Sequence, residues 1–279
     1  MIWPQLDAPL AFLNGEFVPP ESLLVSHADA GFVFGATVTD FCRTYGGTLF
    51  RHADHLRRFR HDCAAIGIAL PFRDGELSLA ARHLVATNRT PGDEVAVIAF
   101  ATPGVPGAGR PTVGMHTVAL TPARYAHLHG GAVLRTAGEL PAGIVPAGVK
   151  HRSRLSWYLA ERAVNPGEVA VLLDEHGTPD AALGSVLAVV AGGVVRPPAG
   201  RVLEGVTLGV VAELCAELGL GFAEGAIDFR DLPGGVTELL LAGSGFGLAA
   251  VASFDGRAFP APGRVAARLL AAFDELVSR

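Results

Sequence analysis

The chain has 279 residues, half of them apolar, and a formal net charge of −5, so it can bury a core without disulfide or metal staples. No run of like charges occurs, which argues against nucleic acid or an acidic membrane surface as the main partner. Its three cysteines, Cys42, Cys63 and Cys215, are far apart and odd in number. That is the pattern of buried, reduced thiols rather than of a disulfide framework or a zinc site.

In chain order, residues 10–18 read as two short strands around Asn14-Gly15, a two-residue hairpin signal. Leu56, Phe59, Cys63 and Ile66 recur at helical spacing and predict an amphipathic helix over 54–68, with a second helix near 77–87. Valine- and isoleucine-rich runs at 94–101 and 112–120 predict buried strands. The polar, glycine-ended stretch 121–131 reads as a boundary. Beyond it come predicted strands at 132–136, 169–174 and 186–195, helices at 154–163 and 207–218, strands at 238–241 and 249–254, and a helix at 264–276. Strands and helices mix without regular alternation, so the expected fold class is α/β (α+β) in two domains. The smaller spans 1–121, a linker spans 122–131, and the larger spans 132–279.

The longest apolar stretches, 185–195 and 238–251, are broken by glycines and fall short of the roughly 20 residues that span a bilayer. The opening Met1-Ile2-Trp3-Pro4-Gln5-Leu6-Asp7 lacks the basic start and apolar run of a secretory signal. A cytoplasmic protein with a small-molecule partner is expected, and no Gly-x-Gly-x-x-Gly joins a strand to a helix in the first third.

Among 22 basic residues only Lys150 is a lysine. Codon bias accounts for the scarcity but not for the one that survives. Arginine serves wherever a surface cation is needed, yet its guanidinium cannot give up its proton to become a nucleophilic amine. Lys150 is therefore the candidate for covalent chemistry.

Val149-Lys150-His151-Arg152-Ser153-Arg154-Leu155 resembles the lysine segment of the class IV (fold-type IV) aminotransferases, and the similarity runs from Asn14 to Val251. The resemblance implies two domains, a smaller N-terminal α/β one and a larger C-terminal mixed-sheet pseudo-barrel, usually as a homodimer. It also implies pyridoxal 5'-phosphate as cofactor and no metal. In that family the lysine carries the cofactor as an internal aldimine and then shuttles the proton of a 1,3-shift, roles that fall to Lys150.

Further motifs carry the resemblance. His55-Leu56-Arg57-Arg58-Phe59 is similar to the family's His-Leu-x-Arg-Leu, whose arginine binds the phosphate, which makes Arg58 a phosphate ligand. Leu203-Glu204-Gly205-Val206-Thr207 resembles Leu-x-Gly-Ile-Thr, and a helix start offers free amides to an anion, so Gly205, Val206 and Thr207 are cofactor candidates. Ala242-Gly243-Ser244-Gly245 stands where the family has Ser-Gly-Thr-Ala, so Gly243 and Ser244 complete the phosphate cradle and Gly245 borders the substrate. Gly177-Thr178-Pro179-Asp180, followed by Ser185, replaces Gly-x-Val-x-Glu and a later asparagine. Asp180 is the candidate acid for the pyridine nitrogen, which a carboxylate keeps protonated.

Several positions depart from the pattern. Arg154 stands where most relatives have a tyrosine on the cofactor's phenolic oxygen, as the aminodeoxychorismate lyase branch does. Near the N-terminus, Asp29-Ala30-Gly31-Phe32-Val33-Phe34-Gly35-Ala36-Thr37-Val38-Thr39-Asp40 resembles Asp-x-Gly-x-x-Tyr-Gly-Asp-Gly-x-Phe-Glu, with Phe34 for tyrosine, Thr39 for phenylalanine and Asp40 for glutamate. Phe34 and Thr39, with Arg110 and His116 in or beside a strand, are the substrate candidates. The expected activity is transamination between an amino acid and a 2-keto acid. A lyase of the aminodeoxychorismate type is the alternative, and a homologue without catalysis the third.

Overall fold

The computed structural model of the chain describes residues 9–140 and 148–279. The opening residues 1–7, read above for a secretory signal, lie outside the described residues. Two units separate by their internal contacts: Met1–Thr121 with Val149–Arg154, and Pro122–Gly148 with Leu155–Arg279.

The first unit contains β1 (Ala11–Leu13), β2 (Glu16–Val18), α1 (Ala30–Val33), β3 (Val38–Tyr45), β4 (Thr48–Leu49), α2 (His52–Ala65), α3 (Asp74–Asn88), β5 (Val95–Thr102) and β6 (Thr112–Ala119). Its six strands form an antiparallel sheet in the order β2-β1-β6-β5-β3-β4. The hairpin at Asn14-Gly15 forms as the sequence predicts, both residues taking positive φ (53° and 104°). The apolar stripe of α2 (Leu56, Phe59, Cys63) and that of α3 (Leu77, Ala81, Leu84) bury against Val38, Val97, Ala101, Val113 and Met115 of the sheet.

β3 is a strand that periodicity does not announce. Its helix-facing positions are Val38, Asp40, Cys42 and Thr44, all buried, so two of the four core positions are polar. Alternation of polar and apolar residues, the usual sign of a half-buried strand, is thereby lost.

The second unit contains β7 (Ala132–Glu139), α4 (Leu155–Ala163), β8 (Glu168–Leu173), β9 (Pro179–Ala181), β10 (Ser185–Val190), β11 (Gly193–Arg196), α5 (Val206–Glu217), β12 (Phe222–Glu224), β13 (Val236–Gly243), β14 (Gly247–Phe254), β15 (Arg257–Ala258) and α6 (Arg264–Ser278). Its nine-stranded mixed sheet runs β12-β11-β10-β13-β14-β7-β8-β9, with β15 on β14. Leu239, Leu240 and Leu241 of the central β13 are fully buried, as expected of a strand covered on both faces. The run 186–195, read as one strand, is two: it turns back at Ala191-Gly192, where both residues have positive φ and Val190 pairs with Gly193.

The expected boundaries and the observed units differ at two places. Residues 122–131, expected as a linker, include the 3-10 turn Pro122–Leu128, and Leu128 is buried in the core of the second unit. The lysine segment Val149–Arg154, expected in the C-terminal domain, packs with the first unit because its backbone bonds to β3. The three cysteines are buried singly, and burial, helped by the nearby Asp62 charge, pushes the Cys63 thiol up to about 12. Among the described residues no helix is long and apolar enough to cross a membrane.

Glu238 is the buried polar residue that fixes α6. It is 6% exposed, and its two carboxylate oxygens accept the first amides of that helix, from Val265 at 3.0 Å and Ala266 at 2.8 Å. Glu238→Ala should strand these donors and destabilise the second unit by about 1–3 kcal/mol. Glu238→Gln, which keeps one acceptor, should lose less. Urea unfolding measures both, and an unchanged midpoint in the alanine variant would show that the amides find water instead.

Candidate active site

The lysine segment is held in the first unit from both sides. On one side it pairs with the start of β3: the Thr39 amide donates to the Lys150 carbonyl at 2.9 Å, the Arg152 amide to the Thr37 carbonyl at 2.8 Å, and Val38 bridges His151. The Ser153 hydroxyl adds a bond to the Gly35 carbonyl at 2.6 Å. On the other side the Lys150 amide donates at 3.0 Å to Oδ2 of Asp62, a residue of α2 that is 1% exposed. Lys150 itself is half-buried.

One and two turns of α2 before Asp62, Arg58 and His55 share the helix face that meets β3. Between them lies the Asp40 carboxylate, 4% exposed. Oδ1 stands 2.6 Å from His55 Nδ1, and Oδ2 accepts from Arg58 Nε at 2.9 Å and Nη2 at 2.8 Å. A carboxylate is an acceptor only, so His55 donates from Nδ1. The 3.4 Å approach of Arg58 Nη2 to that nitrogen is then a contact between two donors. Burial by itself would raise the Asp40 pKa. The charges of Arg58 and His55, the His55 hydrogen bond and the Lys150 charge outweigh it and hold the carboxyl well below the usual carboxylate range.

A second group of candidates lies within the second unit. Ser185 opens β10 opposite Ala242 of β13, and its hydroxyl lies 3.5 Å from where a Cβ on Gly205 would stand. Gly205 caps α5 in an extended conformation and contributes no side chain to the first amides of the helix; Thr207 in that first turn is buried. After β13 the chain turns through Gly243-Ser244-Gly245. A Cβ at Gly243 would crowd Phe246 and the Leu183 carbonyl, and one at Gly245 would overlap the Tyr125 hydroxyl. Close packing thus excludes a larger residue at 243 and 245, while a Cβ at 205 would make only ordinary contact. The first amides of α5, which no capping side chain bonds, are donors of the kind a phosphate dianion takes. Asp180 sits on β9 opposite Leu172, half-buried.

The remaining candidates scatter. Phe34 ends α1 with 73% of its surface exposed, Arg110 lies exposed in the loop before β6, and Arg154 is exposed just ahead of α4. His116 faces the sheet side opposite the helices, where its Nδ1 is buried without a partner among the described residues. Burial, then the Arg152 charge, push its pKa down to about 4, against a backbone hydrogen bond at Thr117. The expected phosphate ligand Arg58 has two of its donors on Asp40, a partner the motif alone does not reveal. Asp62, which holds the Lys150 amide, is marked by no motif, although its spacing of four residues from Arg58 puts it on the same helix face.

The sequence model of the amino-transferase class IV family matches residues 37–254, a span that takes in β3, the His55–Arg58 pair, Lys150 and the Ser185 to Gly245 group. The chain belongs to the class IV aminotransferases. A Methanocaldococcus jannaschii protein provisionally described as a branched-chain-amino-acid aminotransferase is 26% identical over 259 residues, 88% of each chain. D-alanine aminotransferase of Staphylococcus aureus (strain N315) is 41% identical over 78 residues, a match that spans 28% of each chain. Among solved structures, the branched-chain amino acid aminotransferase from Thermobaculum terrenum, in its PLP form, superposes with a TM-score of 0.82 at 22% identity, covering 98% of this chain and 95% of that one. The Escherichia coli branched-chain enzyme gives a TM-score of 0.85 at 20% identity, covering 97% and 95%. The mixed α/β fold of this class IV chain is therefore that of fold-type IV enzymes.

Asp40 has a lower pKa folded than unfolded, so its pairing contributes stability that is fully present above the unfolded value, about 4, and is lost as the pH falls through the folded one. Asp40→Ala, which leaves a buried arginine uncompensated, should destabilise the first unit by about 3–5 kcal/mol at pH 7. Asp40→Asn should flatten the fall in unfolding free energy below about pH 4. Parallel pH slopes for wild type and Asp40→Asn would refute the pairing.

Proposed function

We propose that the protein is a pyridoxal 5'-phosphate-dependent aminotransferase acting on amino acids and 2-keto acids, with Lys150 as its catalytic residue. The observation that carries this is the fixing of the only lysine of the chain, through Asp62 and β3, beside the Asp40–Arg58 pair in a class IV sequence. Bound here, the cofactor would supply the electron sink that lets an amino acid release its α-proton.

The residues then divide the work. Lys150 would hold the cofactor through its amine, and the same amine, once free, would take the proton from the substrate's α-carbon. Both tasks need an amine that can shed its own proton, which lysine can do and arginine cannot. Arg58, oriented by Asp40, presents a fixed fork of donors to the phosphate. In the second unit the Val206 and Thr207 amides and the Thr207 and Ser244 hydroxyls would be donors to phosphate oxygens, and Asp180 with Ser185 would support the pyridine ring. Arg154 takes the cofactor's phenolic side. The same residues would serve a lyase of the aminodeoxychorismate type, the reading that the Lys-x-x-Ser-Arg-Leu string favours. A homodimer in the cytoplasm is the proposed form.

Protein saturated with pyridoxal 5'-phosphate should be yellow, lose the colour to borohydride, and then show the added mass on the Lys150 peptide. Lys150→Ala should show neither and should lose amino transfer by about 10²–10⁴-fold or more. Single amino acids should convert the cofactor to its aminated form, and a keto acid should reverse it. Release of pyruvate from aminodeoxychorismate without that half-reaction would select the lyase. A colourless protein that ignores the cofactor would refute both.

A further inference from the structure

The side of the first sheet away from α2 and α3 carries an arrangement that the cofactor reading does not use. In the antiparallel register, Thr39 and Phe41 of β3 stand in line with Phe100 and Ile98 of β5 and with Gly114 and His116 of β6. The Phe100 ring lies across Gly114, where a Cβ would overlap it. On that ring rests the Arg152 guanidinium, 4.9 Å from its centroid, with Nε 3.4 Å from the Thr39 hydroxyl.

Arg152 has no carboxylate partner among the described residues. Its neighbours are an aromatic face, a hydroxyl and the neutral His116, whose Nδ1 is buried and unpaired. An arginine held over a ring in this way is oriented but not neutralised. The residue stays exposed to solvent and so is open to a ligand. The Thr39 position is the one at which the family resemblance places phenylalanine, and the smaller residue leaves the space that the guanidinium occupies.

The backbone links this cation to the reacting centre. Residues 150–152 run extended against β3, with His151 bridging Val38. Side chains two apart in an extended segment point to the same side, so Lys150 and Arg152 project together, their Cα atoms about 6.6 Å apart. That is the span of a small amino acid held by its two ends.

We propose that Arg152 receives the substrate's carboxylate, its guanidinium oriented by the Phe100 ring and by the Thr39 hydroxyl, which itself donates to the Ala99 carbonyl. This rests on the aminotransferase reading above, and it commits the substrate class to molecules bearing a carboxylate close to the exchanged amino group. Arg152 is a specificity residue: it binds and orients the substrate and exchanges no proton.

The test uses the protein saturated with pyridoxal 5'-phosphate, with propionate and propionamide as non-reacting probes followed by the cofactor absorbance and by calorimetry. Wild type should bind propionate well over tenfold more tightly than propionamide. Arg152→Gln should lose that preference while keeping the wild-type unfolding midpoint and cofactor affinity, and Arg152→Lys should restore part of it. In the half-reaction, Arg152→Gln should raise the KM of the best amino acid tenfold or more and leave the rate with isopropylamine, which has no carboxylate, within about twofold. Unchanged propionate affinity or amino acid KM in Arg152→Gln would overturn the assignment, and so would equal losses toward isopropylamine and amino acids, which mark a structural role. Propionate selectivity that depends on Arg152 in a protein without amino transfer would instead uphold the subsite and sink the aminotransferase reading.

Discussion

The Asp40 carboxylate, buried between β3 and α2, is the interaction on which the rest of the first unit depends. Removed from water, a carboxylate is costly unless both oxygens find donors. Here His55 takes one oxygen and Arg58 the other. The strand and the helix are therefore locked in one register rather than merely pressed together by Leu56 and Phe59. The consequence reaches the lysine segment, because the same strand supplies the Thr39 amide for the Lys150 carbonyl and the same helix supplies Asp62 for the Lys150 amide. An amine intended for covalent chemistry gains from a backbone fixed at both ends, since small displacements of a reacting group cost large factors in rate.

β3 works through both of its faces. The helix side carries Val38, Asp40, Cys42 and Thr44, which fix the scaffold and orient Arg58. The opposite side carries Thr39 and Phe41, next to Phe100 and His116. With period-two alternation, neighbouring residues of one strand face opposite sides of the sheet. A change at Thr39 thus falls on the face opposite the ion pairs of Asp40.

In the second unit the same economy appears as absence of bulk. Gly243 and Gly245 stand where a Cβ would overlap the Leu183 carbonyl, Phe246 or Tyr125, and α5 begins with no side-chain cap on its first amides.

Local signals are enough for much of this. The helical spacing of Leu56, Phe59 and Cys63, the apolar runs of β5 and β6, the Asn14-Gly15 turn and the lone lysine at 150 are properties of short stretches, and the class IV family and its fold are legible in the motifs around Lys150, Arg58 and Thr207. Other features require distant pairing. β3 escapes the pattern because Asp40 and Thr44 occupy core positions that only their partners make acceptable. Asp62 reaches the Lys150 amide across 88 residues, and Arg152 reaches Thr39 across 113. Periodicity reports which face of an element is apolar; it carries no information about which buried charge meets which donor, or which arginine is left over an aromatic ring without an acid. Those are set by strand register and helix packing, so tertiary structure alone decided them.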